Sequence, residues 1–168
     1  MSSIRKAYPE NALECAIIVD SWISNTKEMP RLFSKNELKQ MIEKAIPLRE
    51  VWLVCNPAKG YISFNQQTSQ IIGLYTLEPG NGLGKILLDK VKLNRNYLHL
   101  WSHSFNKKAH KFYQREGFKV IGEKEKGDDG LPEIHFEWKK KIDRINSNCS
   151  VPNELIFYQR KVVSYDIC

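Results

Sequence analysis

Leu74-Tyr75-Thr76-Leu77-Glu78-Pro79-Gly80-Asn81-Gly82-Leu83-Gly84-Lys85-Ile86-Leu87-Leu88 is the stretch on which the fold turns. It closes a strand-like run, Gln70–Leu77, and ends in helical spacing: Gly84, Leu87, Leu88 and Val91 stand at i, i+3, i+4 and i+7. The glycines at 80, 82 and 84 therefore lie between a strand and a helix. Alternate glycines let successive backbone N–H groups converge on one point, and the helix start adds partial positive charge there. Phosphate or pyrophosphate suits such a turn; a tight connection with no ligand is the plain alternative. Two other phosphate loops are excluded by the residues. A Walker A loop needs four residues between its glycines and Ser or Thr after its Lys, but Gly80 is too close to Gly84 and Ile86 follows Lys85. A dinucleotide fingerprint on Gly82 and Gly84 wants a third glycine where Leu87 stands.

Working outward, Val51–Cys55, Gly60–Asn65 and Gln70–Leu77 read as a meander of three strands, broken by Asn56-Pro57-Ala58-Lys59-Gly60 and by polar Asn65–Ser69. Two helices precede them. Pro9–Asn25 carries Ala12, Ala16, Val19 and Ile23 at helical spacing, and Ser34-x-x-Glu37 is a capping box before Leu38, Met41, Ile42 and Ala45. Downstream, Tyr97–Ser102 is strand-like. A helix then begins at Asn106 as N-cap and stops at Gly117, and Phe118–Gly122 and Glu133–Trp138 supply two more strands. The order is α-α-β-β-β-α-β-α-β-β, an α/β (α+β) chain with a mixed sheet and helices packed on it.

Two signatures in this order resemble the GNAT acyltransferase superfamily. The opening stretch is similar to its motif A, and Asn106-x-x-Ala109-x-x-Phe112-Tyr113-x-x-x-Gly117-Phe118 is similar to its second signature. Gly130–Trp138, with Trp22 and Met29-Pro30-Arg31, further resembles a bacterial subgroup without an assigned substrate. The resemblance covers about residues 4–139, so residues 1–139 are expected to form a GNAT-like acetyltransferase domain. Residues 140–168 would then be an extension whose Leu155–Val163 run adds an edge strand or a homodimer contact.

The resemblance implies a GNAT-like acyl-CoA N-acyltransferase fold: a central, mostly antiparallel sheet with one splayed strand pair, flanked by four helices. It implies acetyl-CoA as co-substrate. The backbone of Tyr75, Thr76 and Leu77 would pair with the pantetheine arm, and the N–H groups of Gly82, Leu83, Gly84 and Lys85 would hold the pyrophosphate. Asn106 would bind pantetheine or orient the site, and Tyr113 would protonate the departing thiolate. Pro79 departs from the pattern: the family usually has Arg or Gln there, and this approach is about two residues shorter. A non-catalytic CoA-binding module of the same fold is therefore a second reading.

Composition bounds the rest. The 168 residues are 42% hydrophobic and 27% charged, and no apolar run approaches the roughly 18 residues of a membrane span. Glu10, Glu14 and Asp20 interrupt or flank the apolar run Ala12–Val19, which argues against a signal peptide and for the cytoplasm. The four cysteines, Cys15, Cys55, Cys149 and Cys168, lack zinc-like spacing, and no metal is expected. Of the net charge of +7, most falls in residues 79–116, where eight basic side chains face only Asp89 and Glu116. Such a segment suits an anionic ligand. Nucleic acid is a third reading, which lacks an aromatic-interleaved basic motif or a helix-turn-helix.

Transfer to an amine needs the neutral amine. At pH 7 an alkylamine of pKa about 10.4 is neutral in only about one molecule in a few thousand. A base or desolvation must supply it, and a backbone N–H at the bulge that the resemblance implies in the strand ending near Leu77 would hold the oxyanion. Glu78 is the carboxylate nearest the glycine turn and the candidate base. Trp22, Met29, Arg31 and Glu133 are candidates for the acceptor pocket of a small-molecule or protein amine, with Arg31 suited to a carboxylate or phosphate. His99 and His103 share a strand face, and His110 reads as a solvated residue on a basic helix.

Overall fold

The first helix starts later than its periodicity predicts. Pro9–Asn11 form a single 3-10 turn, and α1 then runs Ala12–Ser24. Ahead of it lies a strand with no counterpart in the sequence reading, β1 (Ile4–Lys6), only three residues long. The capping box is formed as read: Ser34 Oγ accepts the Glu37 N–H at 3.3 Å, Glu37 accepts the Ser34 N–H at 2.8 Å, and α2 spans Lys35–Ala45. The meander follows as β2 (Glu50–Val54), β3 (Gly60–Asn65) and β4 (Gln70–Thr76). Then come α3 (Leu83–Lys92), β5 (Tyr97–His103), α4 (Lys107–Arg115), β6 (Lys119–Lys124) and β7 (Glu133–Lys139). Gly117 takes φ 89° just past α4, and its N–H and that of Phe118 close the helix end on the Gln114 and Tyr113 carbonyls.

The computed structural model describes residues 3–141. The Leu155–Val163 run and Cys149 and Cys168 lie outside the described residues. Cys15 and Cys55 are free thiols. Among the described residues no helix is long and apolar enough to cross a membrane.

The seven strands among the described residues form one sheet in the order β1-β2-β3-β4-β5-β7-β6. Its ladders are antiparallel except at one seam, where β4 and β5 run parallel across the α3 crossover. Helices α3 and α4 cover one face with a core that includes Phe64, Leu87, Leu88, Leu98, Leu100 and Phe136. Helices α1 and α2 cover the other face of the meander, packing Cys15, Ala16, Ile18 and Leu38 on Val51, Leu53 and Tyr61. The β5-β7 half alternates cleanly: Leu98, Leu100 and Ser102 point inward, while His99, Trp101 and His103 take the opposite face.

Strand β4 breaks that alternation. Ser63 pairs with Gly73 and the next residue, Phe64, pairs with Ile71, so Ile72 is an extra residue facing no partner on β3. Ile71 and Leu74 consequently share the α3 face, an odd spacing, whereas Tyr75 joins the α1–α2 core.

Candidate active site

The parallel seam pairs only Gln70 with His99 and Ile71 with Leu100. Beyond those two pairs the strands diverge, and a cleft of about 230 Å³ opens between them. Leu77 N–H donates to the Lys59 carbonyl at 2.8 Å, on the β3 side. By alternation the Leu74 and Thr76 N–H groups face β5, where the ladder has ended. Trp22, Tyr75, Asn106, Tyr113 and Glu133 all line the cleft, drawn from α1, β4, the cap of α4, α4 itself and β7. Five residues distant in sequence thus meet at one seam.

Below the seam, Asn106 accepts the Ala109 N–H at 3.2 Å, so its side chain caps α4 while bordering the cleft. Tyr113 is 7% exposed and packs on Phe118 and Phe136, with ring centroids at 5.6 and 5.9 Å. Burial and the neighbouring Tyr75 phenol push its hydroxyl well above the ordinary tyrosine value, so it keeps its proton at neutral pH.

Above the seam lies a pair the sequence reading did not assemble. His103 Nε2 is 2.7 Å from Asp129 Oδ2, and both residues line the cleft. Asp129 is placed by the β6–β7 loop, in which Gly127 N–H meets the Leu131 carbonyl at 2.7 Å and Leu131 N–H meets Asp129 Oδ1 at 3.1 Å. Burial works to raise the Asp129 carboxyl, but the Leu131 N–H and His103 outweigh it and hold it below the ordinary carboxylate value. The imidazole stacks between Trp22 and Phe105, with centroids at 6.1 and 5.2 Å. Asp128, Asp129 and Glu133 stand at the mouth, Glu133 paired with Lys124 at 2.8 Å, and Asp129 and Glu133 add to burial in raising the Tyr75 phenol.

Three of the expected residues stand away from this cleft. Glu78 ion-pairs with Lys59 at 3.3 Å and accepts from Asn81, on the exposed approach to the glycine turn. Arg31 is held by Asp20 and Ser24, each at 2.6 Å, and Met29 lies in the α1–α2 connection. None of the three lines the cleft. His110, read as solvated, is 7% exposed. Its Nε2 lies 3.0 Å from the His103 carbonyl, where it donates and pins the backbone under the His103–Asp129 pair.

That burial has a consequence for stability. Burial lowers the His110 pKa below its ordinary 6.5, against the opposing pull of the His103 carbonyl, and burial and the His99 charge lower His135 likewise. Below the ordinary value the unfolded chain takes up protons that the folded one refuses. Stability is therefore complete above about pH 6.5 and falls as pH drops toward the depressed folded values. Urea unfolding at stepped pH should show this loss, with a shallower slope in His110→Gln.

At the glycine turn, Gly82 caps α3 with φ 76°, a left-handed backbone that any side chain would strain. The first intrahelical bond runs from Ile86 N–H to the Gly82 carbonyl at 3.1 Å. The N–H groups of Gly82, Leu83, Gly84 and Lys85 have no acceptor among the described residues. The Lys85 ammonium is engaged separately, with Asp89 at 2.7 Å and Glu116 at 3.5 Å.

Comparison with known proteins agrees with this architecture. A family model described as "Acetyltransferase (GNAT) domain" matches residues 22–140. The peptidyl-lysine N-acetyltransferase YjaB of Escherichia coli (strain K12) is 25% identical over 133 residues, 77% of this chain and 90% of that protein. Its apo solution structure superposes with TM-score 0.64 at 22% identity, covering 82% of this chain and 97% of YjaB. A GNAT-family acetyltransferase from Bacillus cereus ATCC 10987 reaches TM-score 0.67 at 18% identity, over 84% and 99% of the two chains. YncA from Salmonella typhimurium, in a structure with its cofactor acetyl-CoA, gives 0.64 at 16% identity, over 89% and 99%.

Proposed function

Because this chain belongs to the GNAT family of acetyltransferases, we propose that it transfers an acetyl group from acetyl-CoA to a primary alkylamine, by direct attack in a ternary complex. The observation carrying this reading is one cleft lined both by a buried phenol, Tyr113, and by a histidine–carboxylate pair, His103–Asp129. At about 230 Å³ the cleft has room for a thioester head and the end of an amine, not for a whole coenzyme. In this reading the nucleotide lies outside, its diphosphate against the N–H groups of Gly82 to Lys85, where the helix start favours negative charge. The pantetheine arm then runs along β4 against the Thr76 and Leu74 backbone.

The acceptor enters from the α1 side past Trp22. Asp128 and Asp129 attract it as a cation, and the name of the relative YjaB speaks for a lysine-type amine. With Nε2–H of His103 donated to Asp129, Nδ1 carries the lone pair that takes the amine proton, directly or through a water. Asp129 is a positioning residue here: it fixes the tautomer. The nitrogen attacks the thioester carbonyl, whose oxygen is met by an N–H of the splayed β4 strand. As the C–S bond breaks, Tyr113 gives its hydrogen to the sulfur.

The test is calorimetric titration with acetyl-CoA, followed by thiol release against an amine panel. Micromolar acetyl-CoA binding and saturable release with at least one alkylamine are expected. Binding without turnover across the panel would leave the non-catalytic reading, and absence of binding would sink both.

A further inference from the structure

A second cavity, of about 210 Å³, lies under α2 on the α1–α2 face of the meander. Its walls are apolar: Leu38, Met41, Ile42 and Ala45 from α2 meet Val51 and Ile72 from the sheet. The two polar groups without partners set it apart from an ordinary packing gap. Ser63, in the middle of β3, is 7% exposed and lines the cavity, yet its hydroxyl makes no hydrogen bond among the described residues. Arg49, at the entry to β2, lines the same cavity and has no carboxylate or other acceptor among the described residues. Neither group is sealed in: both face the space of the cavity, where the acceptor of a bound molecule can meet them. The Arg49 charge also reaches the cavity wall. Burial and the Tyr75 and Cys15 groups push the Tyr61 phenol up, and only Arg49 works the other way.

The cavity is not remote from the cleft. Ile72, Gly73 and Tyr75 line both. At Gly73 a Cβ would stand 2.7 Å from Tyr75 Cε2, so glycine alone lets that ring lie back over its own strand. There the ring packs on Trp22 of the cleft at 5.4 Å and on Tyr61 of the cavity at 5.6 Å. The partition between the two spaces is thus the unpaired bulge residue, a residue with no side chain, and one aromatic ring.

We propose that this cavity binds the apolar, carboxylate-ended part of the acceptor, with Arg49 taking the carboxylate and Ser63 a further oxygen, while the amine lies in the adjoining cleft. The inference rests on the acetyl-transfer reading and narrows it to amines joined through an apolar segment to a carboxylate. Charge decides the occupant: the cleft mouth is acidic and suits the cationic end, whereas the cavity holds one unneutralised cation in apolar walls and suits an anion.

Binding is tested without catalysis by following the methyl resonances of Val51, Ile42 and Ile72 as hexanoate, hexanol or hexylamine is added to the full chain. Hexanoate should bind about tenfold or more tightly than hexanol, the worth of one charge-assisted pair. Arg49→Met should erase that preference while leaving hexanol unchanged, and Ser63→Ala should weaken hexanoate less. In thiol-release assays, an ω-amino acid series of increasing chain length should include members with KM about tenfold below the matching alkylamines, kcat being similar, with Arg49→Met removing the advantage. Hexanoate no tighter than hexanol, an advantage that survives in Arg49→Met, or no ω-amino acid with a KM below its alkylamine would overturn the proposal. If hexanoate binds as expected but no amine is acetylated, the transfer reading fails. If amines are acetylated and hexanoate does not bind, only the cavity's role fails.

Discussion

Tyr113→Phe is expected to lower kcat about a hundredfold to a thousandfold while KM for acetyl-CoA changes little, because a proton donor to the leaving sulfur acts only as the C–S bond breaks. The substitution keeps the ring, and with it the contacts to Phe118 and Phe136. Only a hydroxyl bordering the cleft is lost. Folding stability should therefore stay within about 0.5 kcal/mol, which separates a chemical loss from a structural one. The thiol-release rate under saturating substrates and a urea melt of the same preparation decide the matter. An unchanged kcat would remove Tyr113 from the mechanism.

His103→Gln should cost a similar factor of about a hundred or more in kcat, through a different step. Glutamine can still donate to Asp129 across the 2.7 Å contact, so the β6–β7 loop keeps its anchor, but its amide cannot accept a proton from the amine. The rate of the variant should rise with pH as free amine becomes abundant, following the acceptor's own titration, whereas the wild type should plateau earlier. Asp129→Asn is the companion: imidazole remains, its tautomer is no longer imposed, and kcat falls. If His103→Gln and the wild type show the same pH profile, desolvation rather than a base supplies the neutral amine.

Much of this molecule is legible along the chain itself. Local chemistry sets its own boundaries: Ser34 with Glu37 starts α2, Gly117 ends α4, and the glycine turn starts α3. The two signatures carried the family. Strand β1 escaped because three residues, Ile4 to Lys6, give no period to detect. A bulge and a splayed strand pair are expected only through the resemblance; their places, at Ile72 and beyond the Ile71–Leu100 pair, are facts of register between strands, which composition along one strand does not encode.

The same limit hid the His103–Asp129 pair. Alternation placed His103 on one face of β5, but its partner stands in a polar loop whose turn could not be traced from spacing alone. Glu78 shows the converse. Proximity in sequence to the glycine turn suggested a base, and the chain directs that carboxylate to Lys59 instead.

The supernumerary residue in β4 sits where the ladder to β5 stops: Ile71 makes the last pair with Leu100, and Ile72 follows it. The bulge absorbs one position, so Gly73, Leu74 and Tyr75 stand opposite Ser63, Ile62 and Tyr61 as a regular ladder would have them. Excising Ile72 would therefore leave those partners and faces in place. What it would take away is the added bend and twist that a bulge gives its strand, at the point where β4 parts from β5. The width of the opening between the two strands thus hangs on one surplus position.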